Sequence, residues 1–160
     1  MKYAGILFIL LSAGLISGEY SSYVKKRLTE CRDFLSFIGH MKIQVGCFLR
    51  PANELVRGVN SKSLSALGFT EALLAGATLS DAYRVAEPRL SLSEEEREVL
   101  NGLFSSIGEC YLDDGVRLID AAEKRLDALY RKNKTECRKN ARLVTVVTVT
   151  AAIGFLILVL

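Results

Sequence analysis

Few residues of this chain have the types and spacing that catalysis needs. The single histidine, His40, has no serine or cysteine motif beside it that would pair a nucleophile with a base. One acidic run has the composition of a metal or proton-transfer site: Glu94, Glu95, Glu96 and Glu98. Because Ser93 precedes this run and Glu96 follows Ser93 by three residues, the pattern is typical of a capped helix start.

Metal and cofactor motifs are also missing from the sequence. The cysteines at 31, 47, 110 and 137 form no C-x-x-C pair, and no histidine lies at zinc-site spacing from them. Asp113-Asp114-Gly115 begins like a calcium loop without the later ligands, and residues 76–81 (GATLSD) lack the lysine of a phosphate-binding loop. We expect no catalytic residue, metal, cofactor or small-molecule substrate, and hence no enzyme. A membrane enzyme with a lone nucleophile is the alternative, which separate substitution of His40 and Cys110 would test.

Many of the basic residues lie in two clusters, one in the N-terminal part and one in the C-terminal part of the chain. The net charge is only +3, and no aromatic residues interleave with the basic ones as base-stacking surfaces require, so we expect no nucleic-acid partner. The clusters suit anionic lipid headgroups better. They are Lys25, Lys26, Arg27 and Arg32, and then Arg131, Lys132, Lys134, Arg138, Lys139 and Arg142.

The chain ends in an uncharged run that has the length of a membrane span. Eighteen residues follow Arg142 without a charge. As a helix they would extend about 27 Å, close to the hydrocarbon thickness of a bilayer. Their threonine hydroxyls can bond to carbonyls one turn back, which keeps such a helix insertable. We predict a C-terminal transmembrane helix over residues 143–160.

A shorter uncharged run, Tyr3–Gly18, lies at the other end. It would extend about 24 Å as a helix. A cleaved secretory signal is the alternative, but the helical pattern continues past the run, and Ile16-Ser17-Gly18 is a poor cleavage site. We favour a retained N-terminal anchor over residues 1–20.

The basic clusters also predict the orientation. Both belong to the middle of the chain, so the positive-inside rule places residues 21–142 in the cytoplasm with both termini at the far face. Reduced thiols are then expected. The alternative is a secreted helical protein held by its C-terminal span after signal cleavage, which sequencing of the mature N-terminus would separate.

The middle of the chain has helical patterning throughout. The first helix carries apolar residues at steps of four and three, with Lys42 in one slot: Val24, Leu28, Cys31, Leu35, Ile38, Val45 and Leu49. We expect Leu28, Leu35 and Ile38 to be buried against a later helix that carries Leu126 and Leu129. Pro51 ends the first helix and begins a short one over residues 51–58.

Further helices are predicted by their caps and breakers. An apolar helix runs over 63–75 and stops at Gly76, and the next begins at Ser80, or at Thr78 with Asp81, and ends before Pro88. Asp113 or Asp114 caps the last helix, which continues into the C-terminal run with Asp120–Lys124 and Asp127–Arg131 as i, i+4 pairs. The fold is therefore expected to be all-α, a small helical bundle between two transmembrane helices.

The full pattern resembles the stage III sporulation protein AB family. The resemblance lies in the anchor MKYAGILFILLSAGLISGEY, the segment GATLSDAYRVAEPRLSLSEEEREVLNGLFSSIGE and the order of elements. At two places the family pattern differs, where this chain has Tyr111 and Gly115. The resemblance implies a soluble domain similar to the F-type domain of type II secretion platforms.

The resemblance also implies a role in the mother cell during endospore formation. There the protein would be a membrane scaffold of the apparatus that links mother cell and forespore, meeting the AA-type ATPase and other channel subunits. The accessible charged surface for the ATPase would be Glu94, Glu95 and Glu98 beside Arg97. The alternative for each acid singly is that it only solvates and caps its helix.

Overall fold

The computed structural model describes residues 2–47, 61–107 and 112–159. Within these ranges the side chains of some residues, most of them near the two ends of the chain, are not described. Every regular element among these residues is helical, which confirms the predicted all-α class. The α-helices are α1 (Lys2–Cys47), α2 (Lys62–Ala66), α3 (Phe69–Leu74), α4 (Leu79–Ala86), α5 (Glu94–Ser106) and α6 (Leu112–Val159), with a 3₁₀ turn at Glu87–Arg89. The helix predicted over 51–58 lies outside the described residues.

The chain divides into two compact units. Arg27–Arg131 form one, and Met1–Lys26 with Lys132–Leu160 form the other. Within the described residues, no helix combines the length and the apolar character that crossing a membrane requires. The two membrane spans and the domain limits at 20/21 and 142/143 stay predictions.

The core lies in the unit Arg27–Arg131 and is rich in aromatic side chains. Phe69 of α3 packs edge-on against Phe34 and Phe37 of α1, with ring centroids 5.5 and 5.2 Å away. Phe104 of α5 lies 5.7 Å from Phe69 and 5.5 Å from Tyr83 of α4. Such pairs contribute about 0.5–1.5 kcal/mol each beyond the area they bury. The aromatic rings therefore join α1, α3, α4 and α5 in one cluster.

The buried face of α1 differs from the predicted stripe. Ile38 is fully buried as expected, but Leu28 and Leu35 are only half-buried. Phe34 and Phe37 are fully buried instead, because the large rings fill the space between α1 and the shorter helices. Leu126 of α6 is also fully buried in this cluster and Leu129 packs at its edge. The prediction is therefore confirmed for Cys31 and Ile38, while the centre of the buried face is shifted so that Leu28 and Leu35 lie at its edge.

The single helix predicted over 63–75 is two helices, which corrects that prediction. Gly68 has a φ of +81°, a left-handed conformation that suits glycine and ends helical continuity between α2 and α3. Gly76, with a φ of +92°, stops α3 as predicted. Ser61 caps α2 by accepting a bond from the Leu64 N–H at 3.2 Å, and its hydroxyl donates to Asp33 of α1 at 2.7 Å.

The cap of α4 settles an alternative that the sequence left open. The Thr78 hydroxyl accepts a hydrogen bond from the Asp81 N–H at 3.1 Å and donates to the Asp81 carboxylate at 2.7 Å. Thr78, not Ser80, is therefore the cap, since Ser80 lies inside the helix. Pro88 follows in the 3₁₀ turn where the helix was expected to end.

Helix α6 is continuous from Leu112 to Val159, as predicted. Asp113 and Asp114 lie inside its first turn rather than at the cap position. The Asp127–Arg131 pair forms at 2.8 Å. Asp120 instead contacts Lys42 of α1 at 2.6 Å, so the slot that interrupts the apolar series of α1 holds an ion pair between helices.

Candidate partner-binding surface on helix α5

The capping box predicted for α5 is present in full. The Ser93 hydroxyl accepts a hydrogen bond from the Glu96 N–H at 3.4 Å, and the Glu96 carboxylate accepts one from the Ser93 N–H at 2.8 Å. Two backbone donors at the helix start are thereby satisfied. The first turn of α5 consequently begins at a defined point, with Glu94 and Glu95 directly after the cap.

Glu96 also joins α5 to α1. Its side chain is fully buried, and its Oε2 accepts hydrogen bonds from Arg27 Nε at 3.0 Å and from the Ser93 hydroxyl at 2.9 Å. Burial raises the pKa of this carboxyl, but the bonds from Ser93 and Arg27 outweigh burial and hold the pKa below its ordinary value. Glu96 is therefore an ionised, buried structural residue and not part of the accessible acidic face.

A second buried carboxylate fixes the segment before α5. Glu30 of α1 is 1% exposed, and its Oε2 accepts the Ser91 N–H at 2.7 Å. A buried polar group is costly unless it is hydrogen-bonded, and this bond satisfies one oxygen of the Glu30 carboxyl group. Together Glu30 and Glu96 tie Ser91 and Ser93 to one face of α1.

Arg97 also binds the segment that precedes α5. Its Nε donates to the Leu92 carbonyl at 3.2 Å, and its Nη2 donates to the Leu90 carbonyl. The Tyr83 hydroxyl donates to the Arg97 carbonyl at 3.2 Å, and burial raises the pKa of that hydroxyl. The Arg97 side chain is half-buried, and its bonds to these two carbonyls position the loop before α5.

The other three predicted site residues are exposed and meet at one groove. Glu94, Glu95 and Glu98 lie on the open side of α5. With Glu87, Leu92, Arg97 and Asn101 they line an open groove of about 760 Å³. Glu98 has a distant contact of 3.8 Å with Arg125, and both of these side chains are largely exposed. The groove therefore presents carboxylates, while the one cation in its lining is engaged with backbone carbonyls.

The acids of the groove do not converge on one point. Among the described residues, no three carboxylate, histidine or cysteine side chains are placed to hold one metal ion. The helix dipole favours acids at the α5 start, and this alone accounts for Glu94 and Glu95 as stabilising residues. Glu30, Glu96 and Arg97 hydrogen-bond to the backbone of the segment that leads into α5, from which the exposed acids project.

The other residues considered for chemistry lie elsewhere. His40 is half-buried, and its enclosed Nε2 atom has no hydrogen-bond partner among the residues that the structure describes. Cys31 is fully buried, and burial, followed by the charge of Glu96, raises the pKa of its thiol, which keeps it unreactive. Among the described residues, neither Cys31 nor Cys137 forms a disulfide. Cys110 and the side chain of Cys47 lie outside the described residues.

The sequence did not reveal that Arg27 and Glu30 of α1 contact α5 and the segment that leads into it. Arg27 was grouped with the basic residues beside the N-terminal run, yet it pairs with Glu96, 69 positions away. Glu30 contacts Ser91, 61 positions away. Patterns within one helix do not reveal pairs so distant in the chain.

The fold and the surface define an all-α protein with an acidic groove held by buried carboxylates. The chain belongs to the stage III sporulation protein AB family, whose sequence model matches residues 2–160. The resemblance noted in the sequence is thereby confirmed over nearly the whole length. Comparison with curated proteins and with solved structures gave no match. The likeness to F-type domains of secretion platforms stays a prediction.

Proposed function

We propose that this protein is a non-enzymatic membrane platform of the apparatus that connects mother cell and forespore. The family assignment supports a role in sporulation. Two membrane helices hold the platform, with residues 21–142 in the mother-cell cytoplasm. The acidic groove of α5 docks the AA-type ATPase, and the membrane helices meet other channel subunits.

One observation carries the docking proposal. Glu94, Glu95 and Glu98 are exposed at one groove whose backbone is fixed by buried side chains from α1 and by Arg97. Glu98 lies beyond the first turn of α5, where the helix dipole does not account for it, and it lines the same groove as Glu94 and Glu95. Fixed charges of one sign favour a partner surface of the opposite sign and speed the encounter.

The membrane part of the proposal is supported by the sequence at both ends. Uncharged runs of 16 and 18 residues lie at 3–18 and 143–160, and basic residues flank each run on the side of the central region. This distribution favours a central region in the cytoplasm. A cytoplasmic placement is also what contact with a cytoplasmic ATPase requires.

A pull-down tests the docking surface. The double variant Glu95→Lys, Glu98→Lys should stay folded because exposed charges contribute little to stability. It should retain the AA-type ATPase about tenfold less than wild type at about 50 mM salt, where charge complementarity is least screened. The difference should shrink at about 500 mM salt.

The matched control reverses two exposed acids outside the groove, Glu71 and Glu136, to lysine. It changes the net charge by the same amount and should bind like wild type. Equal losses in both variants would point to overall charge rather than to this groove. Undiminished binding of the Glu95, Glu98 variant at low salt would discard the groove as the docking surface.

A further inference from the structure

The solvent-facing side of α6 within the unit Arg27–Arg131 carries a basic face. At about 100° per residue, five exposed residues lie within about 100° of one another around this helix. They are Arg117, Ala121, Lys124, Arg125 and Ala128. Ile119 and Leu126, which are fully buried, lie on the opposite side. Asp114 is exposed on the same side, about one turn before Arg117, and carries the opposite charge.

The other acids of this part of α6 are engaged with other cations. Asp120 and Glu123 contact the Lys42 ammonium group of α1 at 2.6 and 3.0 Å. Asp127 pairs with Arg131 at 2.8 Å. These acids therefore neutralise little of the charge on the basic face, which favours a partner of opposite charge.

The side chains of the basic face indicate the chemistry of that partner. Two of its three cations are arginines, whose planar guanidinium groups bind carboxylates through two parallel hydrogen bonds. Ala121 and Ala128 are seven residues apart and lie on the same side of the helix as the cations. Because alanine side chains are short, a second surface can approach the α6 backbone between the longer arginines. The basic face therefore fits a surface that presents carboxylates.

The acidic groove of α5 is such a surface. Its exposed acids outnumber its one cation, Arg97, which is engaged with backbone carbonyls. The groove extends along α5 from Glu94 to Asn101, about 10 Å at 1.5 Å per residue. The distance along α6 from Arg117 to Lys124 is the same. Charge and length therefore make the groove of another copy of this chain a suitable partner for the basic face.

The basic face and the groove adjoin each other in one molecule. Arg125 Nη2 lies 3.8 Å from Glu98 Oε2, and both side chains are largely exposed. When two complementary surfaces adjoin, a two-fold axis between two copies brings each surface against its complement on the other copy. A single symmetric contact would thus form both pairings at once and close the assembly at two copies.

We propose that the basic face of α6 binds the acidic groove of α5 in a second copy of this chain, which gives a two-fold dimer. Two observations carry the proposal: the complementary charge of the two surfaces and their adjacency at Arg125 and Glu98. A groove occupied by a second copy is closed to the ATPase, so dimerisation would regulate docking. That regulatory role rests on the proposed function, whereas the dimer itself does not.

Capture of one purified chain by another tests the dimer without the ATPase. Two full-length preparations with different affinity tags are mixed in uncharged detergent at about 50 mM salt, and one is captured while the other is quantified. Wild type should capture wild type. The groove variant Glu95→Lys, Glu98→Lys and the face variant Arg117→Glu, Arg125→Glu should each capture themselves about tenfold less, because like charges then meet. Lys124 is retained because its charge also acts on Asp120.

Mixing the groove variant with the face variant gives the most specific result. The basic groove of one then meets the acidic face of the other, and the two unchanged surfaces still complement each other. Capture should therefore return to nearly the wild-type level, which variants that had failed to fold could not do. The matched control Lys62→Glu, Arg84→Glu changes exposed residues of α2 and α4 and alters the net charge as much as the face variant. It should capture itself like wild type.

Three results would each overturn the dimer. One is a wild type that does not capture wild type at low salt. Another is an equal loss in the control variant, which would indicate overall charge. The third is a mixture of the groove and face variants that captures no better than either variant alone. The ATPase is absent throughout, so failure of its docking in the pull-down would leave the dimer unaffected.

Discussion

Glu96 combines two roles that the sequence and the structure reveal separately. The capping box with Ser93 lies within four residues, so the local pattern predicts it. The bond from Arg27 joins residues far apart in the chain, and only the folded arrangement shows it. Burial of the carboxylate against α1 makes this residue the link between the helix start and the core.

This link makes the stability of the protein depend on pH. In the folded protein the pKa of Glu96 lies below its ordinary value of 4.5, because hydrogen bonds from Ser93 and Arg27 outweigh the effect of burial. A carboxyl with a lowered pKa stabilises the folded state fully above its unfolded pKa. That stabilisation is lost as the pH falls through the folded pKa.

The variant Glu96→Gln should therefore be less stable than wild type at pH 7 and converge with it in acid. Glutamine keeps the shape and the cap but not the charge facing Arg27, so the free energy of unfolding should fall by about 1–3 kcal/mol at pH 7. Below the folded pKa the protonated Glu96 of wild type is also neutral, and the difference should shrink. Thermal unfolding in neutral detergent, followed by circular dichroism from pH 7 to 3, measures it.

The exposed neighbour provides the control. Glu95→Gln should change stability by less than about 0.5 kcal/mol at any of these pH values. A Glu96→Gln variant as stable as wild type at pH 7 would show that the ion pair with Arg27 contributes nothing to the fold.

At the level of elements, the sequence predicted the helical class and the capped start of α5, but it missed the break before α3 and gave only part of the buried face of α1. Apolar residues at steps of four and three fit more than one of the neighbouring faces of a helix. Which face is buried is determined by the side chains of the other helices that pack against it. Phe34 and Phe37 are buried because Phe69 and Phe104, distant in the chain, provide matching rings. Lys42 interrupts the apolar series of α1, and the structure explains this residue because its ammonium group forms ion pairs with Asp120 and Glu123 of α6.

Substitutions at two adjacent positions test the corrected face. Phe34→Ala should lower the free energy of unfolding by about 3–5 kcal/mol, because a fully buried ring is removed from a packed cluster. Leu35→Ala should cost only about 1 kcal/mol, since that side chain is half-buried. If thermal unfolding gave equal losses of unfolding free energy for the two variants, or a larger loss for Leu35→Ala, the buried face predicted from the sequence would be the correct one.

The break between α2 and α3 gives a second test at this level. Gly68→Ala should destabilise the fold by about 1–2 kcal/mol because an L-residue is strained at a φ of +81°. The added methyl group would contact Val85 at an ordinary 3.6 Å, so the cost comes from the backbone. Gly102, inside α5 with open space around it, is the control.

The control variant should be more stable than wild type. Gly102→Ala should stabilise α5 by about 0.5–1 kcal/mol, since alanine loses less backbone freedom than glycine. A neutral Gly68→Ala variant would mean that α2 and α3 are joined as the single helix that the sequence predicted.

For the molecule as a whole, the fold class and the family were predictable, and the arrangement of the acidic groove was not. The all-α class follows from helical periodicity and from caps, each of which is local. Three of the four proposed docking residues were visible as one charged run, and the structure places them at one groove. Arg97 belongs to the same run, but its bonds to two backbone carbonyls could not be inferred from its neighbours in sequence.

We propose that the helical region between the two uncharged runs lies in the cytoplasm, where an ATPase can reach it. Lys62, exposed at the start of α2, is a suitable position for a reporter. With the native cysteines replaced by alanine, a cysteine introduced by Lys62→Cys is treated with a membrane-impermeant thiol reagent in intact cells. Leu160→Cys, predicted to lie at the far face, is the matched control for reagent access.

We expect the cysteine at position 62 to be labelled only after lysis, whereas the cysteine at position 160 should be labelled in intact cells. Labelling at position 62 without lysis would place the helical region outside the cytoplasm. That result would contradict both the membrane platform and its contact with the ATPase, and it would favour a secreted protein held by its C-terminal helix.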